Sequence, residues 1–345
     1  MTIFKSKRPK FLSLCLAGLF LFCLSMTVFN LSGCGDSKKD ELNLGYKVYI
    51  PNLSEQTITV LPKEKSDESY IIDLDHTPLF IQKLPGSKKI YVLQESTNEI
   101  ALIDTDSDTV EDTFTFEVGS SSSQINYRLK FLPDGSKGFI TTSYSPAGVA
   151  CIDPSDNSFA GGCNVYSTTI DNMFFNTTGN RLYAMDSTNQ KIHNINTQTM
   201  VSVDTIKVPE EFSVSLFNAD KNIFYMAESG TDGAVKIYDL EADEFTDRIE
   251  AVTSNIVKFL LSEDGSLLYV LGSNQIVTIK LSDFTIDDTI DLDYKEPSDL
   301  RFLSDSGYFL APSKASSMVM VLKGDLSTED SLATGSGPGE MVVTK

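Results

Sequence analysis

Residues 86–116, GSKKIYVLQESTNEIALIDTDSDTVEDTFTF, decide the fold. They contain a turn, a strand, a polar turn, a second strand that ends in Asp104, and a third strand. Alternating β-branched and aromatic residues, bounded by Gly, Asp and Asn, predict strands and turns rather than helices. The segment therefore predicts three strands of a small antiparallel sheet.

The same pattern recurs along the chain, in residues 132–157, 177–200, 219–245, 262–284 and 304–326. A first copy, residues 46–65, lacks the opening turn. Equivalent positions in the second strand are Tyr49, Tyr91, Ile140, Tyr183, Tyr225, Tyr269 and Phe309, at spacings of 42, 49, 43, 42, 44 and 40 residues. Seven copies with a period near 43 residues, each long enough for four short strands, are typical of β-propeller blades.

The two ends of the repeat region complement each other. The first copy begins at its second strand, and residues 337–345, GPGEMVVTK, read as a first strand with nothing after it. Pairing the two would complete one blade and hide two sheet edges. We therefore predict an all-β domain over residues 45–345, a seven-bladed β-propeller closed by a C-terminal strand that completes the first blade. Two separate sheets or sandwiches would give similar strand spacing, but they would not predict complementary half-blades.

The N-terminal residues read as a leader. A basic cluster in residues 5–10 precedes an apolar run, an order typical of a secretion signal. The run is also long enough for a retained membrane helix, which is the alternative. Residues 31–34, Leu-Ser-Gly-Cys, resemble the lipoprotein box of bacterial lipoproteins. This resemblance implies a signal peptide over residues 1–33, acyl chains on Cys34 and a short tether over residues 34–44.

The lipoprotein resemblance also implies a location, the bacterial cell envelope. Two or three acyl chains anchor a protein stably where a single chain does not. Gly35 in place of Asp lacks the inner-membrane retention signal of enteric lipoproteins, which implies the outer membrane where the organism has one. The chain has 28 basic and 48 acidic residues, a net charge of −20. This charge disfavours nucleic acid as a partner, and we expect a monomer.

Two cysteines, Cys151 and Cys163, remain beyond the leader and Cys34. Two cysteines that flank residues 152–162 of an exported chain predict a disulfide across the ends of a hairpin. A redox or metal-binding role is the alternative, although no histidine or third cysteine lies nearby in the sequence.

Residues 89–116 resemble the YVTN family of propeller repeats. The matching positions are Tyr91-Val92, Asn98, Ile103-Asp104 and Thr109. The absence of tryptophan disfavours WD repeats and the tryptophan-docked blades of quinone-binding dehydrogenases. The resemblance covers about residues 46–345 and implies a fold more than a function.

The resemblance also indicates where a ligand would bind. In such propellers the first strand of each blade lines the axis, and the loops that lead into it share one face with the loops joining the second and third strands. The longest of these loops lies around residues 119–127, although residues 120–123 also read as a flexible insertion. We expect a ligand-binding face that includes Asp75, His76, Gln124, Tyr127, Arg128, Asn172 and Asn255.

The acidic run at residues 104–108 imitates the start of a calcium loop. It departs from that motif at the sixth position, Thr109, and at the twelfth position, Thr115. We therefore predict a turn in which aspartate caps the backbone, and no metal or cofactor.

Catalytic motifs are scarce. Only His76 and His193 occur, in different blades, and the alternating pattern around His193 indicates a structural role. The sequence favours a non-enzymatic, membrane-anchored module that binds or scaffolds a protein, a glycan or a small ligand. The alternative is a lactonase-like or other hydrolase that uses carboxylates and Arg128 at the mouth of the channel.

Overall fold

Seven four-stranded antiparallel sheets form a ring in this computed structural model. The structure describes residues 42–64, 66–95, 98–116, 126–142, 147–167, 170–208, 212–228, 233–250, 252–294 and 296–345. Within these residues every regular element is a strand, and no helix that could cross a membrane is found. The predicted all-β, seven-bladed propeller is confirmed.

Each sheet is one blade, and its strands run in order from the inner to the outer edge. Blade 1 contains β28 (Val342–Thr344), β1 (Lys47–Asn52), β2 (Thr57–Leu61) and β3 (Tyr70–Asp73). Blade 2 contains β4 (Pro78–Lys83), β5 (Lys89–Gln94), β6 (Glu99–Asp104) and β7 (Thr109–Thr115). Blade 3 contains β8 (Asn126–Phe131), β9 (Gly138–Thr142), β10 (Ala147–Asp153) and β11 (Ser158–Ser167).

The remaining blades follow the same order. Blade 4 contains β12 (Asn172–Phe175), β13 (Arg181–Asp186), β14 (Lys191–Asn196) and β15 (Val201–Lys207). Blade 5 contains β16 (Phe212–Asn218), β17 (Ile223–Glu228), β18 (Val235–Asp239) and β19 (Glu244–Ile249). Blade 6 contains β20 (Lys258–Leu261), β21 (Leu267–Leu271), β22 (Gln275–Lys280) and β23 (Thr285–Asp291). Blade 7 contains β24 (Arg301–Leu303), β25 (Tyr308–Ser313), β26 (Met318–Leu322) and β27 (Thr328–Ala333).

The hydrophobic core lies between the blades. Each of the seven apolar clusters formed by the described residues draws its side chains from two neighbouring blades. A middle strand such as β5 is therefore buried on both faces and reads as a continuous apolar run, KIYVLQ. An outer strand such as β7, TVEDTFT, is largely exposed.

The strand registers correct two of the repeat positions expected from the sequence. In blade 2, Tyr91 pairs with the last residue before the bulge in the third strand. In blade 3 the residue that makes the equivalent pair is Phe139, not Ile140. In blade 7 the equivalent residue is Leu310, not Phe309. Successive side chains of a strand point to opposite faces, so a slip of one residue assigns a side chain to the wrong neighbouring blade.

The turn between the third and fourth strands is capped by aspartate, as predicted. The Asp104 Oδ1 atom accepts the backbone N–H groups of Asp106 and Ser107, each at 2.9 Å. Asp108 ends this turn with a φ of 54°, the left-handed conformation that a hairpin with a bulge requires. The run at residues 104–108 is thus a structural turn.

The expected closing strand is present. β28 pairs with β1 in antiparallel register, with Val343 opposite Val48 and Val342 opposite Tyr49. Met341 is fully buried in the cluster between blades 7 and 1. One blade is therefore built from both ends of the propeller sequence, and the ring has no open sheet edge at this seam.

The predicted disulfide between Cys151 and Cys163 is not formed, and both residues are buried free thiols. Cys151 lies opposite Gly161, and Cys163 lies opposite Val149, so the two cysteines are diagonal neighbours on adjacent strands. Diagonal Cβ atoms in a sheet lie about 7 Å apart, whereas a disulfide needs about 4 Å. Burial raises the pKa of both thiols, which keeps them protonated and unreactive.

The first 41 residues lie outside the described part of the chain, and with them the expected signal peptide, Cys34 and most of the tether. The described structure begins just before the expected domain boundary at residue 45. Leu44 is fully buried, and its backbone N–H donates to the Lys63 carbonyl at 3.2 Å. Residues 42–44 thus contribute to the propeller itself.

Candidate functional site: the axial channel

An axial cavity of about 910 Å³ lies at the centre of the ring, and the inner strands of all seven blades line it. Every blade has the same strand direction, so all seven inner strands begin at the same face of the ring. We call this end of the cavity the channel mouth. It is the face on which the sequence predicted a ligand.

Glu340, which precedes β28, holds two cations at the channel mouth. Arg128 Nη2 lies 3.2 Å from Glu340 Oε1, and Lys258 Nζ lies 2.8 Å from Glu340 Oε2. Burial opposes ionisation of Glu340, but Lys258 and Arg128 outweigh it and lower its pKa to about 2. The carboxylate is therefore charged at neutral pH and joins blades 1, 3 and 6.

Asp299, which precedes β24, is a second anionic centre and is fully buried. Its carboxylate lies 3.1 Å from Lys258 Nζ and 3.1 Å from Arg301 Nε. It also accepts the backbone N–H of Met341 at 3.1 Å. Asp299 raises the pKa of Arg301. The same carboxylate thus balances two cations and fixes the backbone just before the closing strand.

The two basic residues of β8 lie against aromatic rings on opposite sides. The Arg128 guanidinium carbon is 5.0 Å from the centre of the Phe80 ring in blade 2, and Lys130 Nζ is 4.6 Å from the centre of the Phe174 ring in blade 4. Both are cation–π distances. Burial, with Lys258, Arg301 and Arg128, lowers the pKa of Lys130 to about 8, against the opposing effect of Glu340.

Positive charge is in excess in the channel. The basic residues that line the cavity are Lys83, Arg128, Lys130, Lys258 and Arg301, and the acidic ones are Asp171 and Glu340. Asp299 lies beside them, so the channel has five cations and three carboxylates. One of these carboxylates, that of Asp171, also accepts a hydrogen bond from the Ser187 N–H at 2.8 Å. A chain with a net charge of −20 thus carries a locally basic channel.

The structure brings together two of the residues expected at the ligand face. Arg128 and Asn172 line the cavity, whereas Asp75, His76 and Asn255 do not. Asn255 is an exposed residue with a φ of 50°. Gln124 lies outside the described residues, and only the backbone of Tyr127 is described, within β8.

Neither histidine reaches the cavity. His76 Nε2 lies 3.4 Å from Glu99 Oε2 on the surface. His193 is buried, with Nε2 at 3.5 Å from Asp186 Oδ2 and Nδ1 at 3.4 Å from Thr205 Oγ1. Burial lowers the pKa of His193, so the ring is neutral and serves the packing of its blade.

Sequence reasoning missed most of the charged residues in the channel, which are Lys83, Lys130, Asp171, Lys258, Asp299, Arg301 and Glu340. A signal for them exists in the corrected register. Five polar residues share one repeat position, because each lies two residues before the inner-strand residue that pairs with the aromatic or apolar repeat position. They are Arg128, Asn172, Lys258, Asp299 and Glu340. A repeat alignment on Phe139 and Leu310 would have placed these polar residues in one column.

Comparisons with known proteins support the fold. No protein-family model matches the sequence, and no curated protein matches it. A functionally unknown protein from Desulfotomaculum acetoxidans DSM 771 is similar with a TM-score of 0.67 and 13% identity, over 86% of this chain and 98% of that one. Hydrazine synthase of Kuenenia stuttgartiensis is similar with a TM-score of 0.64 and 14% identity, over 78% and 95%.

A chain of the mitotic checkpoint complex is also similar, with a TM-score of 0.59 and 13% identity, over 75% of this chain and 82% of that one. At such identities the likeness shows the fold alone. The propeller architecture is consistent with a binding or scaffold module, and the resemblance to YVTN repeats stays a prediction.

Proposed function

We propose that this protein is a non-enzymatic binding module of the bacterial cell envelope, anchored by lipid on Cys34, and that it receives its ligand at the channel mouth. The observation that carries the proposal is the convergence of Arg128, Lys258 and Glu340 from three blades on one open cavity. A cavity of this size suits a small ligand, because typical ligand pockets measure about 300–1,000 Å³.

The rigidity of the scaffold supports binding rather than chemistry. Arg128, Lys258 and Glu340 come from three different blades, and the apolar clusters between the blades hold each blade in place. Glu340, with a pKa near 2, is a weak base and does not carry a proton at neutral pH. Efficient general acids and bases have pKa values near the operating pH.

Retention of small molecules tests the binding site. The full chain in detergent is incubated with a small-molecule extract of bacteria, separated from free compounds, denatured, and the released compounds are measured by mass spectrometry. We expect compounds that the wild type retains and the Arg128→Gln variant loses. Lys323→Gln, at an exposed ion pair with Glu329, is the matched control. Equal retention by wild type and Arg128→Gln would place the ligand elsewhere.

Membrane fractionation tests the proposed anchor. Replacing Cys34 with alanine removes the thiol that would carry the lipid, so the variant should lose label from a fatty-acid precursor and leave the membrane fraction. A variant that stays labelled and membrane-bound would refute lipidation at this residue.

A hydrolase is the second candidate, favoured by the presence of carboxylates and arginine in the same cavity. The propeller lactonases that the sequence resembles also use histidine, which the described part of this cavity lacks. The check is turnover of a panel of lactones and nitrophenyl esters by wild type and Glu340→Gln. Turnover that Glu340→Gln abolishes would replace the binding proposal with the enzymatic one.

A further inference from the structure

We propose that the axial channel binds a small oxyanion, a carboxylate or phosphate group, and that Lys130 is the cation that receives it. This inference rests on the proposed function, because it names the chemistry of the ligand at the same site. Lys130 differs from Arg128, Lys258 and Arg301 in what it contacts.

Lys130 is a channel cation without an ion-pair partner among the described residues. Arg128 and Lys258 are held by Glu340, and Arg301 is held by Asp299. The ammonium group of Lys130 instead lies over the Phe174 ring at 4.6 Å. An aromatic ring stabilises a cation through its quadrupole but does not neutralise its charge. The charge of Lys130 therefore remains available to an anion in the cavity.

The surroundings of Lys130 are predominantly positive. Arg128 lies two residues earlier on β8, Lys258 comes from β20 and Arg301 from β24, while Glu340 supplies the opposing charge from the start of blade 1. Burial first, and then this repulsion, lowers the pKa of Lys130. Such strongly perturbed groups in a cleft cluster at functional sites. An oxyanion would replace the repulsion with attraction.

The channel also offers groups that fit an oxyanion in geometry. Arg301 and Arg128 each carry a planar guanidinium that binds carboxylate or phosphate by two parallel hydrogen bonds, and a lysine adds a point charge. Apolar residues of the inner strands, among them Leu216, Leu260 and Phe174, line the same cavity. This combination suits a small organic anion better than a macromolecule, which would not enter a cavity of about 910 Å³.

Titration calorimetry of the full chain in detergent, at pH 7 and low chloride, tests the inference with succinate, phosphate and sulfate as probes. We expect the wild type to bind at least one probe saturably. Lys130→Met should bind that probe at least about tenfold more weakly, because the substitution keeps an unbranched side chain but removes a charge-assisted contact. Lys280→Met is the matched control, because Lys280 forms an exposed ion pair with Asp287 on the outer side of blade 6 and should bind as wild type. The succinate-to-phosphate preference distinguishes a carboxylate from a phosphate ligand.

The pH dependence of sulfate binding gives a second readout that needs no variant. Sulfate keeps its charge between pH 7 and 9, whereas Lys130 loses its proton as the pH rises through about 8. Sulfate affinity of the wild type should therefore fall over this range, and any residual affinity of Lys130→Met should fall less. A flat wild-type profile would overturn the role of Lys130.

Thermal unfolding without ligand separates binding from structure. Lys130→Met should unfold at the wild-type temperature or above it, because the substitution removes a repelled cation. A lower unfolding temperature together with unchanged probe affinity would make Lys130 a structural residue. Failure of all three probes to bind wild type would overturn the oxyanion inference, and the proposed function would still stand if the extract experiment retains a compound that Arg128→Gln loses.

Discussion

The outer turns of the blades and the axial channel use charge in opposite ways. In the turns, Asp104, Asp153 and Asp325 accept hydrogen bonds from serine hydroxyls and backbone N–H groups two or three residues ahead, and these bonds lower their pKa values. In the channel, Glu340 and Asp299 are surrounded by cations that come from other blades. These three turn aspartates each shape a single hairpin, whereas the two channel carboxylates join distant parts of the chain.

This difference separates local structure from function. Turn aspartates recur with the repeat because every hairpin has the same backbone donors to satisfy. The basic residues of the channel come from only four blades, namely Lys83 from blade 2, Arg128 and Lys130 from blade 3, Lys258 from blade 6 and Arg301 from blade 7. A net charge of −20 therefore describes mainly the outside of the propeller, and gives a misleading picture of the surface that a ligand would meet.

Among the variants that test the channel, deletion of residues 341–345 should cause the largest loss of stability. It removes β28, the buried side chains of Met341 and Val342, and the donor to Asp299. Two such side chains stabilise a fold by about 1.5–3 kcal/mol each, so the loss is several kcal/mol before the backbone ladder is counted. We expect aggregation or a lost cooperative transition in calorimetry. Deletion of Lys345 alone, which removes an exposed ion pair with Asp305, should leave the transition intact.

Glu340→Gln should have the next largest effect, because it leaves Arg128 and Lys258 facing each other without the shared carboxylate. We expect a loss of about 1–3 kcal/mol in urea unfolding, less than for a fully buried pair because the channel is open to water. Asp325→Asn, at an exposed turn, is the control and should change the midpoint much less.

Glu340→Gln should also change how the stability depends on pH in the acid range. The folded-state pKa of Glu340 is depressed to about 2, so its contribution is present above the ordinary glutamate pKa near 4.5 and is lost as the pH falls towards 2. The stability difference between wild type and Glu340→Gln should therefore narrow over this range. A constant difference from pH 5 to pH 2 would contradict the ion-pair account.

Tyr49→Phe tests a contact made by a turn aspartate, and it should lower the stability less than the two changes in the channel. The buried Tyr49 hydroxyl donates to Asp108 of the next blade, and burial with Asp108 raises the phenol pKa, so it remains a donor. Removing it should cost about 1–2 kcal/mol. Tyr70→Phe loses a hydroxyl that donates to the same carboxylate at 2.6 Å from an exposed position, and should cost at most about 0.5 kcal/mol. Equal costs would show that burial of the donor makes no difference to the strength of this contact.

The smallest expected effect concerns Cys151 and Cys163. Because both are free buried thiols, a reducing agent should leave the unfolding temperature unchanged, and a thiol reagent should label Cys151 and Cys163 only after denaturation. A drop in unfolding temperature on reduction would show that the disulfide forms after all.

The fold could be predicted because its signals are local and repeated. Its features can be recognised without knowing which strands pair. They are the repeated position of Tyr91, the turn at Asp104 and the two half-blades at the ends of the propeller sequence. The predicted repeat position in blade 3 is one residue too late because Phe139 and Ile140 are both apolar, and their composition does not indicate which one faces the next blade. The prediction for the cysteines is wrong for a related reason, since loop length can be read from the sequence and strand register cannot.

The channel could be predicted only in part. Arg128 is expected at the mouth, but its partner Glu340 and the second cation on that carboxylate, Lys258, are far away in sequence and belong to blades 1 and 6. An ion pair of this kind has no spacing rule, because the distance between its members is set by the closure of the whole ring. Local reasoning finds turn residues and overlooks groups that meet only around an axis.

The closing strand has a consequence for the timing of folding. Six of the seven interfaces between blades join neighbours along the chain and can form while synthesis proceeds. The seventh, between blades 7 and 1, is completed only when β28 joins β1 inside blade 1, which pairs residue 48 with residue 343 at very high sequence separation. Until it forms, the growing arc presents the unpaired edge of β1 and an apolar blade face, which are hazards for aggregation. Contacts of this kind are also the slow ones. The pairing of β28 with β1 therefore decides when the arc becomes a ring.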